Sequence, residues 1–132
     1  MLYITYADAV KYLREIVEEY GADYVNSAQE VPDDSPSCVY RNFETDAPSC
    51  GVGHVMHRAG FDLTQLTINE NIRAWNALYR ELREFEKLGM HYQTQELLRI
   101  FQVEQDCENT WGTALTRALK ETSEPENDTP PV

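Results

Sequence analysis

The chain has 132 residues, 42% apolar and 26% charged, and its 23 acidic side chains against 11 basic ones give a formal charge of −12. That length holds one domain with a single core. The acid excess disfavours a nucleic-acid partner, which wants a basic stripe, and an anionic membrane surface. It favours a basic protein partner, or none.

The acids are unevenly placed: residues 1–50 carry 10 acids and 3 bases, 51–100 carry 6 and 6, and 101–132 carry 7 and 2. No apolar run reaches the ~18 residues of a membrane helix, and the first residues lack the basic and apolar regions of a signal peptide. A cytosolic protein without a membrane partner is the expectation. Three cysteines, Cys38, Cys50 and Cys107, make an odd set, so they are read as thiols.

In chain order, Thr5 is placed to cap a first helix. Tyr6, Val10, Leu13, Val17 and Tyr20 recur at helical spacing up to Gly21. Residues 22–47 lose all periodicity, and the prolines, aspartates and serines at 31–37 predict a long loop. Within it, Cys38-Val-Tyr-Arg-Asn-Phe43 reads as a short extended piece packed on helices. A second, short helix spans 48–60, starting at Pro48 and stopping at Gly60, with Gly51 and Gly53 inside it. Two internal glycines cost roughly 1 kcal/mol each against alanine, which predicts a close neighbour at that backbone.

Residues 61–66 predict a turn or a single helical turn. Thr67 with Glu70 forms a capping-box signature for what reads as the longest helix, with Ile68, Ile72, Trp75, Tyr79, Leu82 and Phe85 on its apolar face until Gly89. Thr94 opens a fourth helix with Leu97, Leu98, Phe101 and Cys107 inward, and Thr110 a fifth with Trp111, Leu115 and Leu119 inward. The fold class expected is all-α: an irregular bundle of about five helices over residues 1–121, with 122–132 a disordered acidic tail.

Cys38, Cys50, His54 and His57 are the residues that suggest chemistry. The last three fall at i, i+4 and i+7 of the second helix, on one face, and soft thiolates with imidazoles can close a tetrahedral zinc shell if Cys38 folds back. The bland alternative is two buried thiols, one hydrogen-bonded histidine and one exposed, with no cofactor. A second chemical reading makes Cys50 a nucleophile near a helix N-terminus with His54 as base, although no oxyanion donor can be assigned. Gly51-Val-Gly53 lacks the third glycine, strand and acid of a dinucleotide fingerprint. A helix-turn-helix around Gly60 would carry a single base on its recognition segment, Arg73, and therefore lacks the electrostatic term duplex binding needs.

Eight tyrosines are many for this length, and tyrosine is over-used at interfaces because it buries area while keeping a polar tip. Tyr6 and Tyr20 lie on the apolar stripe and are assigned to the core. Tyr12 and Tyr24 are the candidates for a partner-facing patch, together with the Cys50, Gly51, Gly53, His54 and His57 segment. The apolar seam of the long helix also allows a homodimer.

Cys38-Val-Tyr40, Pro48-Ser-Cys50 with Val52-Gly53-His54-Val55, Phe101-Gln-Val-Glu-Gln-Asp106 and Thr110-Trp-Gly-Thr-Ala-Leu115 together resemble a group of small proteins from actinobacteria and especially their phages. The likeness spans residues 38–119, with Gly51 and Cys107-Glu108 departing from the pattern. It implies a small accessory protein of a bacterial cytoplasm that binds and modulates a host protein, and it assigns no catalytic residue. The expectation is a non-enzymatic interaction protein; the alternative is a zinc- or small-ligand-binding helical module centred on Cys50 to His57.

Overall fold

A computed structural model describes residues 1–26 and 39–130. Among these, the order is β1 (Leu2–Ile4), α1 (Tyr6–Tyr20), α2 (Gly51–Arg58), a 3-10 turn (Leu63–Gln65), α3 (Ile68–Asn71), α4 (Trp75–Glu84), β2 (Leu88–Met90), α5 (Tyr92–Asp106) and α6 (Trp111–Glu121). The protein is mostly helical, but it is not all-α. β1 and β2 pair in parallel, Leu2 opposite Leu88 and Ile4 opposite Met90. Each strand is only three residues long, too short for an alternation pattern to show, and its partner lies far along the chain.

α1 forms for the reasons its sequence predicts. The Thr5 hydroxyl accepts the Asp8 N–H at 3.1 Å, while Tyr6, Ala9, Leu13 and Ile16 are buried at helical spacing. Gly21 at φ 99° and Gly60 at φ 100° end α1 and the α2 segment in a backbone region that side chains rarely adopt. α5 is the central element, touching α1, α2, α4 and α6, and its Leu97, Leu98 and Phe101 have no exposed surface. His91, rather than Thr94, caps it, and Cys107 at its end is exposed.

The single long helix expected from Thr67 is two helices. Its capping box is present, Thr67 Oγ1 accepting from Glu70 N and Glu70 Oε1 from Thr67 N, but the helix lasts four residues. Asn71, fully buried, accepts the backbone N–H groups of Tyr40 and Arg41, each at 3.0 Å, and donates to Arg41 O at 2.9 Å. The Arg73 carbonyl accepts from the Tyr40 hydroxyl at 2.7 Å. These bonds to a distant segment hold the backbone at 72–74 out of the helix. Ile68 and Phe85, expected inward, are 61% and 65% exposed.

Residues 39–50 are folded onto the bundle. Val39 and Tyr40 are buried, and Arg41 bridges antiparallel to Pro48. Cys38 and the rest of the predicted loop at 27–38 lie outside the described residues. Residues of the tail as far as 128 make hydrogen bonds to the body of the protein. Ser123 N donates to Gln93 Oε1 at 2.9 Å, and the Asp128 carboxylate accepts from the Tyr3 hydroxyl at 2.6 Å and from Tyr6 N at the start of α1. An acidic side chain at a helix N-terminus is favourable, so this aspartate acts as a cap delivered from the far end of the chain.

Candidate functional site

α2 carries most of the residues that the sequence singles out. Cys50 is its N-cap: the buried Sγ accepts the Gly53 N–H at 3.3 Å. The next N–H, that of Gly51, donates to Gln105 Oε1 of α5 at 2.9 Å. Both glycines stand where something packs against the backbone, as their cost predicts. A Cβ on Gly51 would lie 2.2 Å from the Phe101 ring, and one on Gly53 would lie 2.1 Å from the Tyr40 carbonyl oxygen.

His54 and His57 part company. His54 is buried, its Nε2 is 3.3 Å from the Tyr20 hydroxyl, and its ring stands edge-on to Tyr20 and Trp111. Burial, with the Arg58 cation adding to it, pushes the His54 imidazole down to about 4. It is therefore neutral near pH 7. His57 is exposed. Among the described residues no three His, Cys, Asp or Glu side chains gather as metal ligands, and Cys38, the fourth member of the predicted zinc set, lies outside them. For nucleophilic chemistry, Cys50 Sγ is engaged in capping its own helix, and His54 meets a tyrosine hydroxyl.

What α2 does build is an aromatic cluster with α1 and α6. The Tyr20 ring packs at a tilt against Tyr24 at 5.0 Å and Trp111 at 5.1 Å, and Tyr24 meets Trp111 edge-on at 4.6 Å. The chain around Tyr24 is fixed by the start of α6: Trp111 N donates to Tyr24 O at 2.8 Å and Gly112 N to Ala22 O at 2.9 Å. Arg58 ties α2 to α1 by reaching Glu15 Oε1 at 3.3 Å and Glu19 Oε2 at 2.5 Å.

The outer surface of this cluster is Tyr20. Assigned to the core by its place on the apolar stripe, it is instead 40% exposed, because α1 ends there and only part of the ring is covered. Tyr12 is half-buried against the core, and Tyr24 is half-buried with its ring in the cluster. Glu18, Glu19, Asp23 and Val25 are exposed beside Tyr20 in the chain. The result is a partly exposed aromatic cluster with exposed acids next to it in the chain.

No family model, curated protein or solved structure matches this chain. No helix among the described residues is long and apolar enough to cross a membrane.

Proposed function

We propose that the chain is a small cytoplasmic, non-enzymatic interaction protein that binds a basic protein through the face around Tyr20. The observation that carries this reading is the 40% exposure of Tyr20 above a ring cluster fixed by Tyr24, His54 and Trp111, with Glu18, Glu19 and Asp23 exposed next to it. A tyrosine immobilised before binding loses little entropy on association, and its ring face attracts a lysine or arginine. The charge of −12 steers a basic partner towards the molecule. The likeness to phage and actinobacterial proteins supports an accessory role, in which the partner is a host protein whose surface is occupied.

The test is fluorescence anisotropy with a labelled peptide of alternating Arg and Leu, beside the same peptide with Gln in place of Arg. Saturable binding of the basic peptide, weakened about ten-fold by Tyr20→Ala and again by Glu18→Lys with Asp23→Lys, is the expected result. Equal binding of the neutral peptide, or indifference to all three substitutions, overturns the reading. A photo-crosslinking residue at position 20, with position 85 as the control, then identifies the host partner.

A further inference from the structure

The segment after α6 is held to the body of the protein by hydrogen bonds rather than by burial. Thr122 leaves the helix in an extended conformation, φ −129° and ψ 164°, and its hydroxyl meets that of Tyr6 at 2.8 Å. Ser123 N donates to Gln93 Oε1 of α5 at 2.9 Å, and the Asp128 carboxylate accepts from the Tyr3 hydroxyl at 2.6 Å and from Tyr6 N. One short stretch thus crosses β1, α1 and α5. None of residues 122–130 is buried, and these bonds lie in exposed or half-buried surroundings. Lifting the segment therefore uncovers little apolar surface, whereas unfolding the helices would expose Leu97, Leu98 and Phe101, which are fully covered. Pro125 lies between the anchors, and its fixed φ limits the conformations the lifted segment gains.

Tyr3 also lines a groove of about 440 Å³, together with Tyr79, Met90, Tyr92 and Gln95. The Tyr79 hydroxyl is fixed inside the body, where it accepts the Met90 N–H at 3.1 Å, whereas the Tyr3 hydroxyl is fixed by Asp128 of the C-terminal segment. That bond connects one wall of the groove to a stretch of chain that can lift.

We propose that residues 122–130 form a strap that opens and closes as a unit over an intact helical core, and that opening frees the Tyr3 wall of this groove. Closed, the strap ties β1 and the first turn of α1 to α5. Open, it releases both at once, because Tyr3 and Tyr6 N share the same carboxylate. The strap therefore sets the shape of a groove that none of its described residues lines.

Two amides report the strap directly. Tyr6 N–H is the first of α1 and has no acceptor within its own helix, and Ser123 N–H lies at the other anchor, so both are freed as soon as the strap lifts. In native-state amide exchange of the full-length chain at low urea, both should show the same opening equilibrium with almost no dependence on urea, well ahead of Leu97 and Phe101. Asp128→Asn should accelerate both amides about ten-fold, and so should Tyr3→Phe, which keeps the ring. The Met90 methyl resonance should shift in Asp128→Asn while that of Met56, buried in α2, stays in place. Different protection at Tyr6 and Ser123, or exchange of either only together with the core, overturns the strap. An unmoved Met90 methyl overturns its control of the groove.

Discussion

The side-chain amide of Gln105 accepts the backbone N–H of Gly51 at 2.9 Å, so α5 caps the first N–H of α2 from across the core. One turn earlier, Gln102 does the same for α4, its Oε1 accepting Trp75 N at 2.9 Å while its Nε2 donates to the Tyr40 hydroxyl at 3.0 Å. α4 has no local side-chain cap, since its N-cap residue is Ala74. Two glutamines at i and i+3 on one helix thus begin two other helices.

Replacing Gln105 by leucine keeps much of the volume but leaves the Gly51 N–H buried without an acceptor, at a cost of about 1–3 kcal/mol. Gln102→Leu removes the acceptor of Trp75 N and also one donor to the Tyr40 hydroxyl, which keeps its bond to the Arg73 carbonyl, and costs at least as much as Gln105→Leu. Urea titrations should show the midpoint falling for both variants with the slope unchanged. A Gln102→Leu protein as stable as the parent would show that neither bond matters.

Gly51 and Gly53 should respond differently to alanine. Helix propensity alone favours alanine by about 1 kcal/mol at each position. At Gly53 the new methyl meets the Tyr40 carbonyl, whose backbone is pinned on one side by Asn71 and on the other by Ser49 N at 3.0 Å. At Gly51 it meets a ring edge of Phe101, which can turn at an overpacking cost of about 1–3 kcal/mol. Gly53→Ala should therefore lower the melting temperature further than Gly51→Ala, and the reverse order would mean that the 39–41 segment yields more easily than the core.

These glycines were legible in the sequence, because an unfavourable helix residue has a local signature. So were α1 and α6, whose caps Thr5 and Thr110 bond groups three residues on. What the sequence hid is non-local. Nothing near Gln102 or Gln105 marks them as caps for distant helices, nothing near Asn71 shows that it will hold residues 40 and 41 and so end α3, and the Leu2–Ile4 strand finds its partner only at Leu88–Met90. In the candidate site, a buried Cys50 with one hydrogen-bonded and one exposed histidine was one of the sequence readings, which did not say which histidine is which, whereas the exposure of Tyr20 depends on where α6 brings Trp111.

His54 gives the fold a pH dependence whose sign follows from its burial. In the unfolded chain the imidazole titrates near its ordinary 6.5, whereas in the fold it stays neutral down to about 4. Between those values the unfolded state binds the extra proton. The neutral histidine's contribution is therefore complete above pH 6.5 and is lost as the pH falls towards 4, amounting to up to about 3 kcal/mol. Thermal melts at pH 7.0 and 5.0 should show a drop that His54→Phe largely removes. An equal drop in His54→Phe would assign the effect to the carboxylates.

Asp128 should be worth more to the fold than its place in an acidic, proline-containing tail suggests. Its carboxylate satisfies Tyr6 N at the start of α1 and holds the Tyr3 hydroxyl of β1, whose own titration is pushed up to about 12 by burial and by that bond. Losing an N-terminal cap costs about 0.5–2 kcal/mol, and here Thr5 still serves the Asp8 N–H. Asp128→Ala should therefore destabilise within that range, while Glu124→Ala and Glu126→Ala, at exposed positions of the same tail, should change little. Amide exchange separates the local effect from the global one. Faster exchange at Tyr6 and in β1, with α6 unchanged, would show that the tail fastens the N-terminal strand and helix; uniform acceleration would place the loss in the fold as a whole.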